Sequence, residues 1–438
     1  MKRSAVAPSD RTADRNTERL ARGGMLFIGL LLIASNLRAA ITSVGPVLGD
    51  IRADLGFSAV TASVLIAIPL VAFGVFSPVA PVIASRLGIE RTLGAALVVL
   101  AVGIVLRSWP GQVTIWAGTV LLGLAIALIN VLLPALVKRD YPSRVGSVTG
   151  TYSAVQSGVA AIAAGVAVPI AGAADHGWRL SIGIWAGLAL VALAVFLPQL
   201  RVGAQRQPAS SAEQGGAGAE PANPPTDAAS GRTPAARGYR SPWGSALAWQ
   251  VTLFMGLQST IYYTVVTWWP AVEQAGGLSP AMAGWHQFAY QMFGLVGTVL
   301  CAATISRMRD QRVLAVAVSV LMFAGILGQL LVPGIGLLWV SLIGLGSGGS
   351  IVLALALLGL RTRHHGQSAA LSGMAQSLGY LLAACGPIVF SVLHDATSAW
   401  VVPLMLLLGV VIVQVVFGLL GSRDRFIDGD DHRDGASA

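Results

Sequence analysis

Charged residues are scarce in this sequence. Asp, Glu, Lys and Arg make up only 11% of its 438 residues, whereas 55% are hydrophobic and the mean hydropathy is +0.73. Because soluble domains contain about 25% charged residues, this composition excludes the soluble class and indicates an integral membrane protein. Only two cysteines are present, Cys301 and Cys385, and both lie inside apolar runs. Neither indicates a disulfide or a metal site.

The motifs of common enzyme classes are missing as well. The sequence contains no Walker-type phosphate loop, no His-Glu-x-x-His and no Gly-x-Ser-x-Gly. The segment 344–349 matches Gly-x-Gly-x-x-Gly, but it lies inside an apolar run with no strand before it, so we interpret it as a close-packing segment. We therefore expect no enzymatic activity, no cofactor, no metal and no bound nucleotide. A membrane-embedded enzyme or a sensor is the less favoured alternative.

Twelve apolar runs approach the length of about 20 residues that a helix needs to cross a bilayer. Their predicted boundaries are 25–48, 60–85, 92–108, 113–137, 147–171, 180–198, 245–271, 282–305, 313–333, 335–360, 367–393 and 399–421. Very short turns at Pro110-Gly111 and Pro333-Gly334 predict antiparallel hairpins of the third span with the fourth and of the ninth with the tenth. The prediction is an all-α membrane protein with six spans within 25–198 and six within 244–421.

Three segments lack apolar periodicity. They are the N-terminus at 1–24, a stretch rich in Ala, Pro, Gly and Ser at 199–243, and an Asp-rich tail at 422–438. This composition favours disorder, so we predict an unstructured N-terminus, a flexible linker between the halves and an unstructured tail.

The two predicted halves repeat each other at an interval of about 220 residues. Ser-Arg-x4-Arg-x-Leu begins at Ser85 and again at Ser306, and Gly56-Phe57-Ser58 corresponds to Gly277-Leu278-Ser279. Gly146 precedes Gln156 by the same interval at which Gly366 precedes Gln376. Two parallel halves related by an axis along the membrane normal are typical of one large transporter class.

Basic residues occur at every second connection, which predicts the orientation because cytoplasmic loops retain Lys and Arg. Basic clusters follow the second, fourth, eighth and tenth predicted spans and precede the first, whereas the alternate connections contain only Arg52, Arg107 and Arg179. Both termini are therefore predicted to be cytoplasmic, in a bacterial inner membrane. The net charge of +9 reflects this topology and does not indicate a nucleic-acid partner.

Twelve spans, a central linker and basic loops after the second and eighth spans resemble the major facilitator superfamily over about 25–421. In that superfamily the loop after the second span reads Gly-x4-Asp-Arg-x-Gly-Arg-Arg or similar. Arg86, Gly88 and Arg91 match it, while Pro81 and Ser85 replace the Gly and the Asp. The resemblance implies a gating role for this loop and for its repeat at Arg307 and Arg312, without the usual acidic contact.

A narrower resemblance connects the chain to the cyanate and 2-nitroimidazole transporter branch. It rests on Asn36-Leu37-Arg38, Gly45-Pro46, Leu55-Gly56-Phe57-Ser58, Pro69 and Ser77-Pro78 in the first half, and on Tyr262-Tyr263, Trp268-Trp269-Pro270 and Gly277-Leu278-Ser279 in the second. This resemblance implies alternating-access transport of a small polar or anionic solute such as a cyanate-like, nitro or carboxylate compound. An efflux pump for small organic compounds or drugs is the alternative within the same fold. The expected partners are the solute and the lipid bilayer, and we expect a monomer.

Arg38 is the most unusual residue because its predicted depth, about 20 Å into the first span at 1.5 Å per residue, is close to the bilayer centre. A charge at that depth costs a few kcal/mol unless it faces a polar cavity or a partner. A planar guanidinium suits an anion, whereas a packing role would saturate it with backbone carbonyls. The acidic residues near the spans all fall in predicted loops or helix ends: Asp50, Asp54, Glu90, Asp175, Glu273 and Asp395. A bound anion is then the expected counter-charge, and proton coupling through an embedded acid is disfavoured.

Neutral polar residues at similar depth complete the predicted solute site: Asn130, Gln156, Gln258, Tyr262, Tyr290, Gln291 and Gln376. Each could instead bond only to a neighbouring helix. His286 is the candidate proton carrier near a span, with a hydrogen-bonded histidine at the rim as the simpler interpretation. Trp268 and Trp269 are predicted to anchor the membrane interface.

Overall fold

The computed structural model describes residues 8–205, 241–305, 307–308 and 310–427, and the regular secondary structure in these ranges is entirely helical. The long helices are α1 (Pro8–Thr42), α2 (Ala59–Phe76), α3 (Ile89–Ser108), α4 (Gln112–Asp140), α5 (Val145–Ala171), α6 (Trp185–Gln205), α7 (Ala246–Ala275), α8 (Pro280–Ile305), α9 (Arg312–Leu331), α10 (Gly336–Leu360), α11 (His365–Thr397) and α12 (Val401–Gly421). Shorter helices occupy Leu48–Leu55, Ala80–Leu87 and Trp178–Gly183, with 3-10 turns at Gly45–Val47, Pro242–Gly244 and Pro333–Ile335.

These long helices correspond one to one to the predicted spans. Eleven segments of the described chain are long and apolar enough to cross a membrane. The exception is α7, which has the length to cross at 30 residues but contains many Gln, Ser, Thr and Tyr side chains that lower its hydropathy. The fold-class prediction is confirmed, and the long helix without a sufficiently apolar window is one that lines the centre of the molecule.

The predicted ends of the chain differ from the structure. α1 begins at Pro8, so residues 8–24, predicted to be unstructured, continue the first helix. This stretch contains Ala, Arg and Glu, which favour helix. α6 reaches Gln205, inside the predicted linker, and residues 206–240 lie outside the described part of the chain. In the predicted tail, Ile427 is buried and its backbone N–H donates to the Arg361 carbonyl at 3.1 Å.

Two predicted spans are interrupted in the structure. The second ends at Phe76, and a separate helix, Ala80–Leu87, follows it. Pro78 and Pro81 lie at this break, where each lacks the N–H that would continue the helical hydrogen bonds. The sixth is divided at Ile184 into Trp178–Gly183 and α6.

The repeat has a structural meaning at the starts of α2 and α8. Gly56 and Gly277 both adopt a positive φ, 66° and 95°, which favours glycine. Two residues later, Ser58 Oγ accepts from the backbone N–H of Thr61 at 3.1 Å, and Ser279 Oγ accepts from that of Met282 at 3.3 Å. The Gly-x-Ser motif therefore builds the same turn and N-cap in both halves.

Glycines allow the two predicted hairpins to pack closely. A Cβ added at Gly103 of α3 would lie 2.9 Å from the Gly118 carbonyl oxygen of α4. In the second half, a Cβ at Gly325 of α9 would lie 2.6 Å from the Trp339 carbonyl oxygen of α10. The segment Gly344–Gly349 likewise packs within α10, where a Cβ on Gly348 would collide with the Gly294 carbonyl of α8. Small residues are thus used for close helix approach, as the sequence predicted.

The halves meet most closely at one end of the bundle. We call the end where α1 begins and α12 ends the near side, and the opposite end the far side. On the far side, a Cβ added at Gly284 of α8 would lie 3.4 Å from the Ala164 carbonyl of α5. Pro134 of α4 and Leu355 of α10 lie toward the near side, are exposed and line the central cavity. The cavity is therefore closed toward the far side and open toward the near side.

Candidate solute-binding site

A cavity of about 280 Å³ lies between the halves, and it is lined by every residue that the sequence predicted for solute binding. The N-terminal half contributes Arg38, Asn130 and Gln156, and the C-terminal half contributes Gln258, Tyr262, Tyr290, Gln291 and Gln376. These residues come from helices α1, α4, α5, α7, α8 and α11. Only the packing of the two halves brings them together, because they span more than half of the sequence.

Arg38 faces this cavity and has few protein partners. Its Nη1 donates to the Tyr262 hydroxyl at 3.2 Å, and its guanidinium lies 5.0 Å from the centre of the Tyr262 ring. Within the described ranges, no carboxylate forms a salt bridge with Arg38 and no backbone carbonyl accepts from its side chain. The guanidinium therefore retains N–H donors for a ligand and is not saturated by the main chain.

Tyrosines surround the guanidinium on the C-terminal half. The Tyr262 ring stands perpendicular to Tyr263, with ring centres 5.0 Å apart, and lies 6.0 Å from Tyr290. Gln291 Nε2 donates to the Tyr262 hydroxyl at 3.2 Å, and the Tyr290 hydroxyl donates to Ser347 Oγ at 3.0 Å. These bonds orient the rings, so the cavity offers flat aromatic surfaces beside one positive charge.

The amide side chains differ in how strongly the protein already occupies them. Gln376 Nε2 donates to Ser372 Oγ at 2.8 Å, and Gln258 Nε2 donates to Ser259 Oγ at 2.7 Å. Asn130 and Gln156 make no side-chain hydrogen bond to any residue in the described ranges, and both line the cavity. Asn130 and Gln156 are therefore the amides most available to a solute.

Sequence reasoning missed several cavity residues, among them Tyr152, Tyr263, Ser347 and Tyr380. Helical spacing could have found two of them, because Tyr152 precedes Gln156 by one turn and Tyr380 follows Gln376 by one turn. Ser347 lies inside the glycine-rich segment of α10, where the sequence offered only a packing interpretation.

A hydrogen-bonded cluster joins the halves on the far side; we call Ser63, Trp268, Pro387 and Ser391 the far-side latch. Ser63 Oγ of α2 lies 2.8 Å from Ser391 Oγ and 2.9 Å from the Pro387 carbonyl oxygen of α11. The Trp268 indole N–H of α7 donates to Ser63 Oγ at 3.0 Å. The prediction that Trp268 and Trp269 anchor the membrane interface is wrong, because both are only 1% exposed. Because the Trp268 N–H finds a buried acceptor in Ser63, its ring lies at the junction of the halves.

His286 does not line the cavity. Its Nδ1 lies 2.8 Å from Glu273 Oε1, and both residues are buried at the far end of the C-terminal half. Glu273 was expected at a helix end near water, but α7 extends to Ala275 and its last turn is covered by α8 and α10. The inference that a buried acid is absent from this bundle therefore needs correction.

The candidate gating loops lie on the near side. Arg86, Arg91 and Arg307 are exposed, and Gly88 adopts a φ of 88° between the helix Ala80–Leu87 and α3. Arg312 donates to Asp310 Oδ2 at 2.8 Å, and its hydrogen bonds hold the pKa of that carboxyl below its usual value. This loop acid therefore stays ionised, and it pairs within its own loop.

The near-side ion pair of the N-terminal half was missed by the sequence analysis. Arg139 of α4 contacts Glu90 of α3 at 2.6 Å. At the repeat-related positions, Arg361 donates to Gln311 and, at 2.8 Å, to the Ser422 carbonyl oxygen. Arg361 therefore pairs with the amide of Gln311, where its counterpart Arg139 pairs with the acid Glu90. The Ser422 carbonyl of the tail supplies a further acceptor to this buried guanidinium.

Two six-helix halves around a polar central cavity, closed on one side of the bundle, define a membrane transporter. Residues 26–384 match the Major Facilitator Superfamily, and the chain belongs to that family. The family predicted from the sequence is confirmed.

Similar proteins support the narrower branch as well. The chain is 41% identical to an uncharacterised transporter of Bacillus subtilis (strain 168), covering 92% of this chain and 94% of that protein. It is 37% identical to the 2-nitroimidazole transporter of Escherichia coli (strain K12), covering 92% and 96%. It is 25% identical to the cyanate transport protein of the same organism, covering 90% and 97%. The predicted branch of cyanate and 2-nitroimidazole transporters is confirmed.

Among solved structures, a D-xylose-proton symporter superposes with a TM-score of 0.69 at 15% identity, covering 91% of this chain and 97% of that one. At this identity the likeness concerns the fold alone. It supports the arrangement of twelve helices in two halves.

Proposed function

We propose that this protein moves a small, planar, polar or anionic solute across the bacterial inner membrane by alternating access, with Arg38 as the anchoring charge. The observation behind the proposal is a guanidinium that faces a cavity, has one hydroxyl partner and has no carboxylate partner in the described ranges. An isolated charge at this depth is costly, and a bound anion or a nitro group offsets that cost.

The tyrosines favour a flat solute. Tyr262, Tyr263 and Tyr290 present their rings around Arg38, and aromatic surfaces stack on planar groups. Relatives of this chain are a 2-nitroimidazole transporter, named for a small planar nitro compound, and a cyanate transport protein, named for a small linear anion. A cavity of about 280 Å³ suits such compounds better than the large lipophilic substrates of a drug efflux pump, so the efflux alternative is not favoured.

The basic near-side loops support cytoplasmic termini, because cytoplasmic connections retain Lys and Arg. In this orientation the cavity faces the cytoplasm. The bundle has a solute site of its own between its halves, so we propose that it works as a monomer, driven by a solute or ion gradient without nucleotide hydrolysis and without catalysis.

The proposal is tested by counterflow in proteoliposomes containing the purified protein. Vesicles preloaded with unlabelled 2-nitroimidazole, cyanate or 4-hydroxybenzoate are diluted into the labelled solute, with a cationic dye as the comparison. We expect transient accumulation of at least one planar polar or anionic solute. Accumulation of the dye alone would support the efflux alternative and contradict the proposal.

A further inference from the structure

A buried acid and histidine form a pair outside the solute cavity. Glu273 lies in the last turn of α7 and His286 in the second turn of α8. Their side chains are only 2% and 9% exposed, and His286 Nδ1 is 2.8 Å from Glu273 Oε1. Burying a carboxylate is costly even with a partner, so a pair at this depth needs a reason beyond stability.

Two oxygen acceptors of this pair and its neighbourhood lack hydrogen bonds. Glu273 Oε2 and Gln329 Oε1 are buried and have no hydrogen-bond partner among the described residues. Both residues approach Gly336, where an added Cβ would lie 2.9 Å from Glu273 Oε1 and 3.4 Å from Gln329 Oε1. An additional proton on the carboxyl would place a hydrogen-bond donor at Glu273 Oε2, an atom that has no partner among the described residues.

Few other charges face the pair. The neighbouring ends of four helices contain no charged or titratable His, Asp, Glu, Lys or Arg residue. These ends are 160–171 of α5, 325–331 of α9, 336–342 of α10 and 401–407 of α12. On the segment before α2, Arg52 lies 5.7 Å from the ring of Trp268, one turn and a half before Glu273. On α11, His394 stacks on Trp400 and lies 3.4 Å from Asp395. In the described ranges, Glu273 and His286 are therefore the buried carboxyl and imidazole of this far-side region; Arg107, which is also buried on the far side, belongs to α3 of the N-terminal half and donates to the Ala40 carbonyl oxygen.

Both helices that bear the pair also bear parts of the solute site, and α7 in addition bears Trp268 of the far-side latch. His286 is one helical turn before Tyr290, which lines the cavity. Glu273 is five residues after Trp268, which bonds to Ser63 of the other half. α8 also packs on α5 of the other half, where a Cβ on Gly165 would lie 3.3 Å from Phe288 Cβ. A change of charge at the pair would thus act on two helices that contact the other half on the far side.

We propose that Glu273 and His286 form a proton-binding site that couples proton movement to solute transport; this rests on the proposed function. The pair takes up a proton from the far side, at the free carboxylate oxygen or the second ring nitrogen, while the latch is open. It releases the proton to near-side solvent through the cavity, which Tyr290 lines one turn after His286, before the empty transporter returns. The only bonds formed and broken are O–H or N–H bonds, and the proton passes from solvent to solvent.

The test compares two kinds of transport in proteoliposomes, using a solute that wild-type protein exchanges in counterflow. Glu273→Gln mimics the protonated acid, and His286→Gln removes the ring. We expect both variants to keep counterflow within about twofold of wild type while losing accumulation driven by a pH gradient, because exchange needs no net proton movement. The matched control is Asp54→Asn, since Asp54 also pairs with a histidine, His176, at 2.9 Å, but that histidine is 67% exposed. The control should keep gradient-driven accumulation.

Gradient-driven accumulation by Glu273→Gln at the wild-type level would overturn the proposal. The same holds if the wild-type protein exchanges solute in counterflow but shows no solute accumulation driven by the pH gradient. Loss of counterflow in the wild type for every solute tried would instead count against the proposed function. A second measurement needs no variant: the solute is added to purified wild-type protein in weak buffer with a pH-sensitive dye. We expect a pH change on binding, and its absence would overturn the coupling site even if both variants fail to fold.

Discussion

Replacing Arg38 with Gln removes the positive charge of the cavity and preserves much of the side-chain length. A hydrogen bond to a charged group contributes about 1.5–3 kcal/mol. Since each 1.36 kcal/mol corresponds to a factor of ten, we expect solute affinity to fall about 10- to 150-fold. Arg38→Lys keeps the charge but loses the planar fork, so its affinity should lie between that of the Arg38→Gln variant and that of wild type.

The same Arg38→Gln substitution should leave the unliganded protein as stable as before. Arg38 has one hydroxyl partner at 3.2 Å and no ion pair in the described ranges, so its removal loses a bond worth about 0.5–1.5 kcal/mol but also removes an unneutralised charge. The assay is thermal unfolding in detergent with and without solute, because a ligand stabilises in proportion to its occupancy.

The control for this experiment is Arg363→Gln, which removes an exposed near-side charge that lies 4.6 Å from the Phe426 ring and outside the cavity. It should retain the full solute-induced shift. If the Arg38→Gln protein binds the anion with wild-type affinity and exchanges it at the wild-type rate, the reasoning is refuted and Arg38 has only a helix-packing role.

Further predictions concern the amides, the latch and the glycine contacts. Gln156→Ala should weaken solute binding by about 0.5–1.5 kcal/mol. The loss should exceed that of Gln376→Ala, because Gln376 already donates to Ser372 of its own helix. If both variants bind the solute with wild-type affinity in thermal-shift titrations, both side chains serve helix packing only. Trp268→Phe removes the N–H that donates to Ser63 of the other half. A cysteine introduced on the far side of this variant should therefore react faster with a membrane-impermeant thiol reagent than the same cysteine in the wild-type background. An unchanged reaction rate would show that the latch does not hold the closed state. Gly348→Ala should cost about 1–3 kcal/mol by overpacking, seen as a lower midpoint of thermal unfolding, whereas Gly359→Ala, which has open space around it, should be neutral or stabilising.

The sequence predicted the twelve helices because bilayer length and apolar composition impose the same pattern on each span. It predicted the two halves because the repeated Gly-x-Ser turns at Gly56 and Gly277 form by local backbone geometry, which needs no tertiary contact. It also predicted the cavity-lining residues Arg38, Gln156 and Gln376, because a polar side chain at mid-membrane depth must find a polar environment.

The tertiary structure decided how those elements are used. Trp268 could be an interface anchor or a contact between halves, and only the position of Ser63 on another helix settles that its N–H bonds across the junction. From the sequence, Glu273 is predicted to lie in a loop or at a helix end. In the structure α8 and α10 cover it, and it is a buried partner of His286. The sequence by itself therefore determined which side chains lie at membrane depth, since hydrophobic length and local turns suffice for that. Which of them face each other across the halves depends on contacts between residues far apart in the chain, and those arise only when the helices pack.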